Sequence, residues 1–110
     1  MELLSEMPRI FWAGDSTVKQ NDFTSYPQCG IGQGFSLFVK KEIIIVNRAE
    51  NGRSTKSFID EGRLEFIKEN IRKGDFLFIQ FGHNDEKNDP LRYTDPQTTF
   101  KENLRTFIDI

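Results

Sequence analysis

Three short runs, Ile10-Phe11-Trp12-Ala13, Ile43-Ile44-Ile45-Val46 and Phe76-Leu77-Phe78-Ile79-Gln80-Phe81, constrain this chain more than any other feature. Each is almost continuously apolar; the first, ended by Gly14-Asp15, reads as a strand buried on both faces, the β-branched second as another buried strand, and the third as a strand. The segments between them read as helical. Gln33 to Val39 is a short helix, with a strand as its rival. Ser54 to Phe58 begins a turn of helix, and Leu64, Ile67 and Ile71 then recur at helical spacing. Lys73-Gly74-Asp75 supplies a stop for that helix. Pro96 suits a first helical position with Asp95 as cap, ahead of an apolar stripe of Phe100, Leu104, Phe107 and Ile108. The order β-α-β-α-β-α calls for an α/β fold with a parallel sheet and right-handed crossovers.

A sheet of only three parallel strands leaves apolar edges uncovered, and no Gly, Pro or basic cluster follows the last apolar stripe. The expectation is that residues 1–110 form the N-terminal part of a single larger domain. The uncovered third strand offers an edge for a homodimer. Composition narrows the remaining classes. Apolar residues make up 36% and charged residues 29%, with 11 Phe, which suits a packed core and excludes disorder. A net charge of −2 advertises no nucleic-acid surface. The longest apolar run is far too short to span a bilayer, so no membrane partner is expected. Cys29 is the only cysteine, and Met1 to Glu6 lacks a basic-then-apolar leader. Both lean toward a reducing, cytoplasmic setting.

In an open parallel sheet, ligands bind outside the carboxyl ends of the strands. Here those ends carry Gly14-Asp15-Ser16-Thr17, then Glu50-Asn51-Gly52-Arg53-Ser54, then Gly82-His83-Asn84-Asp85. If the second and third strands flank the first, Ser16 is central. The backbone N–H groups of Ser16 and Gly52 and the Asn84 amide can then converge on one oxygen. Acyl transfer needs a nucleophile beside such donors. Each residue also has a plain reading: Gly-Asp-Ser and Asn are ordinary turn formers, and Gly52 a loop glycine. Their recurrence at successive strand ends favours a site. Gly30-x-Gly32-x-Gly34 lacks the dinucleotide spacing and does not directly follow a strand. Cys29 reads as a passive thiol.

These blocks resemble the SGNH (GDSL-type) hydrolases, and among them the rhamnogalacturonan acetylesterase-like carbohydrate esterases. The resemblance is carried by Gly14-Asp15-Ser16-Thr17-Val18, Gly32-Gln33-Gly34, Asn51-Gly52-Arg53-Ser54-Thr55-Lys56-Ser57-Phe58 with Glu61-Gly62-Arg63, Gln80-Phe81-Gly82-His83-Asn84-Asp85 and Arg92-Tyr93-Thr94. It implies a three-layer α/β/α, flavodoxin-like fold with the first strand central. It implies Ser16 as nucleophile, Gly52 and Asn84 completing an oxyanion hole, and Asp15 shaping the loop. The activity implied is removal of acetyl groups from a carbohydrate such as a pectic fragment, with no metal or organic cofactor. Substrate contacts are expected near Asp15, His83 and Arg53, although for Arg53 and Arg63 structural roles are favoured, since exposed Arg rarely needs a special explanation.

The family's Asp-x-x-His block, which supplies its general base, does not occur in these 110 residues. His83 is the only histidine. A Ser16–His83–Asp85 arrangement is conceivable, but adjacent residues near a strand end tend to point to opposite sides, and Asn84 must face the site. The expected consequence is a chain nearly inactive by itself. The alternative is a non-catalytic sugar-binding or interaction module that kept the cleft and lost the chemistry.

Overall fold

The structure, a computed structural model, describes residues 8–22, 29–40 and 42–110. The elements in order are β1 (Arg9–Gly14), α1 (Ile31–Phe35) running into a 3-10 turn (Ser36–Phe38), β2 (Ile44–Asn47), α2 (Thr55–Asp60), α3 (Arg63–Asn70), β3 (Phe76–Gln80) and α4 (Thr99–Ile108). The strands form one parallel sheet in the order β2-β1-β3, so β1 is central. The start of the chain, Met1 to Glu6, and residues 23–28 of the polar stretch lie outside the described residues.

Successive side chains of a strand point to opposite faces, so a strand covered on both sides has no place for a polar residue. In β1, Phe11 and Ala13 pack with Phe58 of α2, Leu64 and Ile67 of α3 and Phe107 of α4. Ile10 and Trp12 face the other way, toward Val18, Ala49, Val39 and Phe35 of α1. The result is three layers. The abundance of Phe finds its use here, because each face holds an aromatic trio. Trp12, Phe35 and Phe78 meet edge to face with ring centroids 5.1–5.7 Å apart. Phe58, Phe81 and Phe107 meet at 5.2–5.6 Å, Phe58 and Phe81 edge to face and the other two pairs tilted. Such pairs add about 0.5–1.5 kcal/mol each beyond their buried area.

Four expectations need correction. The second run is not a buried strand: Ile44 is 49% exposed and the rest of β2 half-buried, because β2 lies at an edge of the sheet. The helix expected to stop at Gly74 ends at Asn70, and Gly74 (φ +96°) instead makes the turn into β3. Asp95 does not cap α4, which starts at Thr99. Its carboxylate accepts from the Gln97 N–H, and its carbonyl from Thr98 and Phe100, closing a separate turn ahead of the helix. Ile108 falls off the buried stripe of α4 and is 70% exposed.

An ion pair closes the end of the sheet away from the candidate site. Arg9, at the start of β1, donates to Asp75 from its backbone N–H at 2.9 Å and from its guanidinium at 2.9 and 3.2 Å. The Arg72 N–H adds a further bond to the same carboxylate. Burial alone works against the Asp75 charge, but the bonds from Arg9 and the Arg72 backbone outweigh it and lower the pKa below the ordinary value. A lowered carboxylate pKa contributes stability above the unfolded-state value, near 4, and loses it as pH falls through the folded-state value. Urea melts from pH 7 downward should therefore show stability declining below about pH 4. Asp75→Asn should be weaker at pH 7 with a flatter acid profile. Equal profiles for the two proteins would remove Asp75 from the account.

Candidate active site

Because the strands are parallel, all three carboxyl ends lie at one edge of the sheet, with the β1 loop in the middle. Gly14 is in register with Gln80 of β3, and its carbonyl accepts from the Glu50 N–H at 3.2 Å. The turn that carries Ser16 thus leaves the sheet between the loops that carry Gly52 and Asn84.

That turn is fixed from within and from behind. Asp15 is 1% exposed. Its Oδ1 accepts from the Thr17 N–H at 3.0 Å and the Thr17 hydroxyl at 2.8 Å, while its carbonyl accepts from Val18 and Lys19. Asp15 thus holds the turn through Oδ1, while its buried Oδ2 has no hydrogen-bond partner among the described residues. Behind the turn, the N–H groups of Gly30, Ile31 and Gly32 donate to the carbonyls of Lys19, Thr17 and Val18. The glycines permit that approach, since a Cβ on Gly30 would stand 2.3 Å from the Lys19 oxygen and one on Gly32 2.8 Å from the Val18 oxygen. Gly30 and Gly32 of the Gly-x-Gly-x-Gly run are therefore a backbone clamp. Ser16 is left exposed at the crest, its hydroxyl without a hydrogen-bond partner among the described residues.

Gly30→Ala should consequently cost about 1–3 kcal/mol, the usual range for overpacking. Gly34→Ala, whose new carbon meets nothing closer than 4.0 Å, should be neutral or mildly stabilising. Thermal melts of the two variants check this, and equal melting temperatures would contradict the clamp.

Gly52 has φ +73°, a left-handed conformation that side chains other than glycine adopt at a cost. Asn84 is 4% exposed. Its Nδ2 donates to the carbonyl of Arg53, the residue after Gly52, at 3.2 Å. Its Oδ1 faces the Arg92 guanidinium at 3.4 Å. The structure thus joins the Asn84 carboxamide to the Gly52-Arg53 backbone.

Asp85, next in sequence, holds the third loop down. Its carboxylate is 3% exposed and accepts from the Thr55 N–H (2.9 Å), the Thr55 hydroxyl (2.5 Å) and the Thr94 hydroxyl (2.7 Å). Asn103 of α4 donates in turn to the Thr55 hydroxyl at 3.1 Å. The start of α2 is itself closed by a reciprocal Ser54–Ser57 capping box. With both oxygens taken by threonines, the Asp85 carboxylate is committed to structure and does not orient His83. The imidazole is exposed and has no hydrogen-bond partner among the described residues.

Charges around the loops are paired. Lys19 meets Glu50 at 2.7 Å, and that hydrogen bond lowers the Glu50 pKa. Arg53 meets Glu61 at 3.0 Å and the Asn51 carbonyl at 2.7 Å, which gives it a structural task whatever it does to a ligand. Arg92 meets Asp89 at 2.9 Å. A cavity of about 200 Å³ lies among Gly52, Arg53, Ser57, Asp89, Leu91 and Arg92. Among the described residues no group of three or more His, Cys, Asp or Glu is placed to hold a metal ion, and no helix is long and apolar enough to cross a membrane.

Sequence reasoning assigned no individual role to Thr55, Thr94 or Arg92. Their contacts join loops far apart in sequence, which no local pattern reports. The Asp89-x-x-Arg92 spacing was the one available hint of a pair.

No family model matches the sequence. The chain is 48% identical over 100 residues to a probable rhamnogalacturonan acetylesterase of Bacillus subtilis, YesY, covering 90% of this chain and 46% of the relative. It is 45% identical over 101 residues to the rhamnogalacturonan acetylesterase RhgT of the same organism, covering 92% of this chain and 42% of that protein. The X-ray structure of Bacillus subtilis YxiM superimposes with a TM-score of 0.80 at 31% identity, over 94% of this chain and 29% of that one. The chain thus spans under half the length of the relatives it matches.

Proposed function

Because this chain is rhamnogalacturonan acetylesterase-like in sequence over about 90% of its length, we propose that it forms the nucleophile and oxyanion half of an esterase that removes acetyl groups from a carbohydrate such as a pectic fragment. In this reading residues 1–110 belong to a single domain whose general base lies outside them. The Ser16 hydroxyl loses its proton to that base and attacks the acetyl carbonyl carbon. The carbonyl electron pair moves onto oxygen, giving a tetrahedral oxyanion. The N–H groups of Ser16 and Gly52 and the Asn84 Nδ2–H receive that charge. Collapse expels the sugar oxygen, which takes the proton back from the base, and leaves acetyl-Ser16. Water, activated by the same base, then releases acetate and restores the hydroxyl.

One observation supports this most: the Ser16 turn leaves the central strand, with the Gly52-Arg53 backbone and the Asn84 carboxamide joined beside it. Neutral donors held rigidly cost nothing to reorganise as charge develops, which is why losing one costs about 2.7–4 kcal/mol of transition-state stabilisation. Exposed His83 and half-buried Arg53 stand as candidate contacts to the sugar. The test is release of acetate from an acetylated pectic oligosaccharide and from an aryl acetate by the protein expressed from its complete reading frame. Hydrolysis lost in Ser16→Ala supports the reading. Saccharide binding in calorimetry without any hydrolysis would replace it with the non-catalytic module.

A further inference from the structure

We propose that Arg92 is a positioning residue for the candidate oxyanion hole, its guanidinium fixing which end of the Asn84 carboxamide faces the Gly52-Arg53 loop. This deepens the proposed function and rests on its assignment of Asn84 as a donor. A carboxamide has a donating and an accepting end of nearly the same shape, and a half-turn about its last torsion exchanges them. A hole built to receive negative charge works only with the N–H end presented.

Both ends are specified here. Nδ2 donates to the Arg53 carbonyl at 3.2 Å, which leaves its second hydrogen for another acceptor. Oδ1 lies 3.4 Å from Arg92 Nη1. Reversal would set the amide hydrogens against the guanidinium and the amide oxygen against the Arg53 carbonyl. The 3.4 Å separation is long for a hydrogen bond, so the steering is mainly electrostatic, between a full cation and an oxygen dipole on a residue 4% exposed. Arg92 is itself anchored. Its Nε meets Asp89 at 2.9 Å, and its backbone N–H donates to the Asp89 carbonyl at 3.0 Å. The same Nη1 would lie 3.9 Å from a carbon placed on Gly52, so one cation borders both donor-bearing loops. It touches neither Ser16 nor the reacting carbonyl in the proposed scheme, and it acts through Asn84.

Steady-state kinetics on an aryl acetate test this in the protein expressed from its complete reading frame, with Arg92→Ala, Arg92→Lys, Asn84→Ala and the Asn84→Ala/Arg92→Ala double variant. Arg92→Ala should lower kcat roughly tenfold, less than the 10²–10³ expected for deleting a donor outright, with KM nearly unchanged. Arg92→Lys, which keeps the charge, should restore part of the rate. Arg92→Ala should add no further loss once Asn84 is gone, because it acts only through that side chain. An unchanged kcat in Arg92→Ala, or losses that multiply in the double variant, overturn the inference while leaving the proposed function standing. If Ser16→Ala and Asn84→Ala both keep full activity, the proposed function falls and this inference with it.

Discussion

Ser16→Ala should lower kcat for acetyl-ester hydrolysis by about 10⁶ in the protein expressed from its complete reading frame, the scale reached when subtilisin loses its serine or its histidine. An effect this large follows because nucleophile and base act as one unit. A second consequence separates this account from one built on His83. Residues 1–110 alone hold no Asp-x-x-His, and among the described residues the one imidazole has no carboxylate bonded to it, since Asp85 is bound to Thr55 and Thr94. The 110-residue chain by itself should therefore hydrolyse an aryl acetate near the background rate, and Ser16→Ala should change that rate little. Ser16-dependent turnover by residues 1–110 alone would return His83 to the role of base.

Asp85→Ala should destabilise the fold by roughly 3 kcal/mol or more, because each buried donor left without an acceptor costs about 1–3 kcal/mol. The substitution leaves the Thr55 N–H and the Thr55 and Thr94 hydroxyls without their acceptor in a region closed to water. It also releases the third loop from α2, and with it the position of Asn84. Stabilities of most domains run from about 5 to 15 kcal/mol, so a fifth or more of the total is at stake. Urea denaturation measures it. Thr94→Val, which removes one of the three donors, should cost about 1–2 kcal/mol by the same reasoning. A loss under 1 kcal/mol for Asp85→Ala would show that the carboxylate is not the knot described here.

The sheet was legible in the sequence because it rests on composition within short windows. Ile10 to Ala13 had to be a covered strand, and two further runs with helical segments between them left a parallel sheet as the economical solution. The placement of Ser16, Gly52 and Asn84 at one sheet edge followed from that topology alone. What stayed hidden was everything decided by distant partners. The exposure along β2 depends on neighbours that no run of residues announces, so Ile44 reads as buried and is not. Asp95 has the local chemistry of a cap, and the chain uses it to close a turn a few residues early. Asp85 was visible only as a carboxylate beside a histidine. Its true partners, Thr55 and Thr94, lie thirty and nine residues away. Gly30 and Gly32 resembled a weak nucleotide motif, yet they serve a close approach to the Ser16 turn that shows only in three dimensions.

The most direct test of the central claim is to trap the acetylated intermediate. The protein expressed from its complete reading frame, mixed with an excess of aryl acetate, quenched in acid and digested, should yield the peptide containing residue 16 with an acetyl group on Ser16. Before steady state, that peptide should appear more slowly in Asn84→Ala, because its formation passes through the oxyanion. Vigorous hydrolysis with acetyl found on another residue, or on none while Ser16→Ala retains activity, would contradict the account.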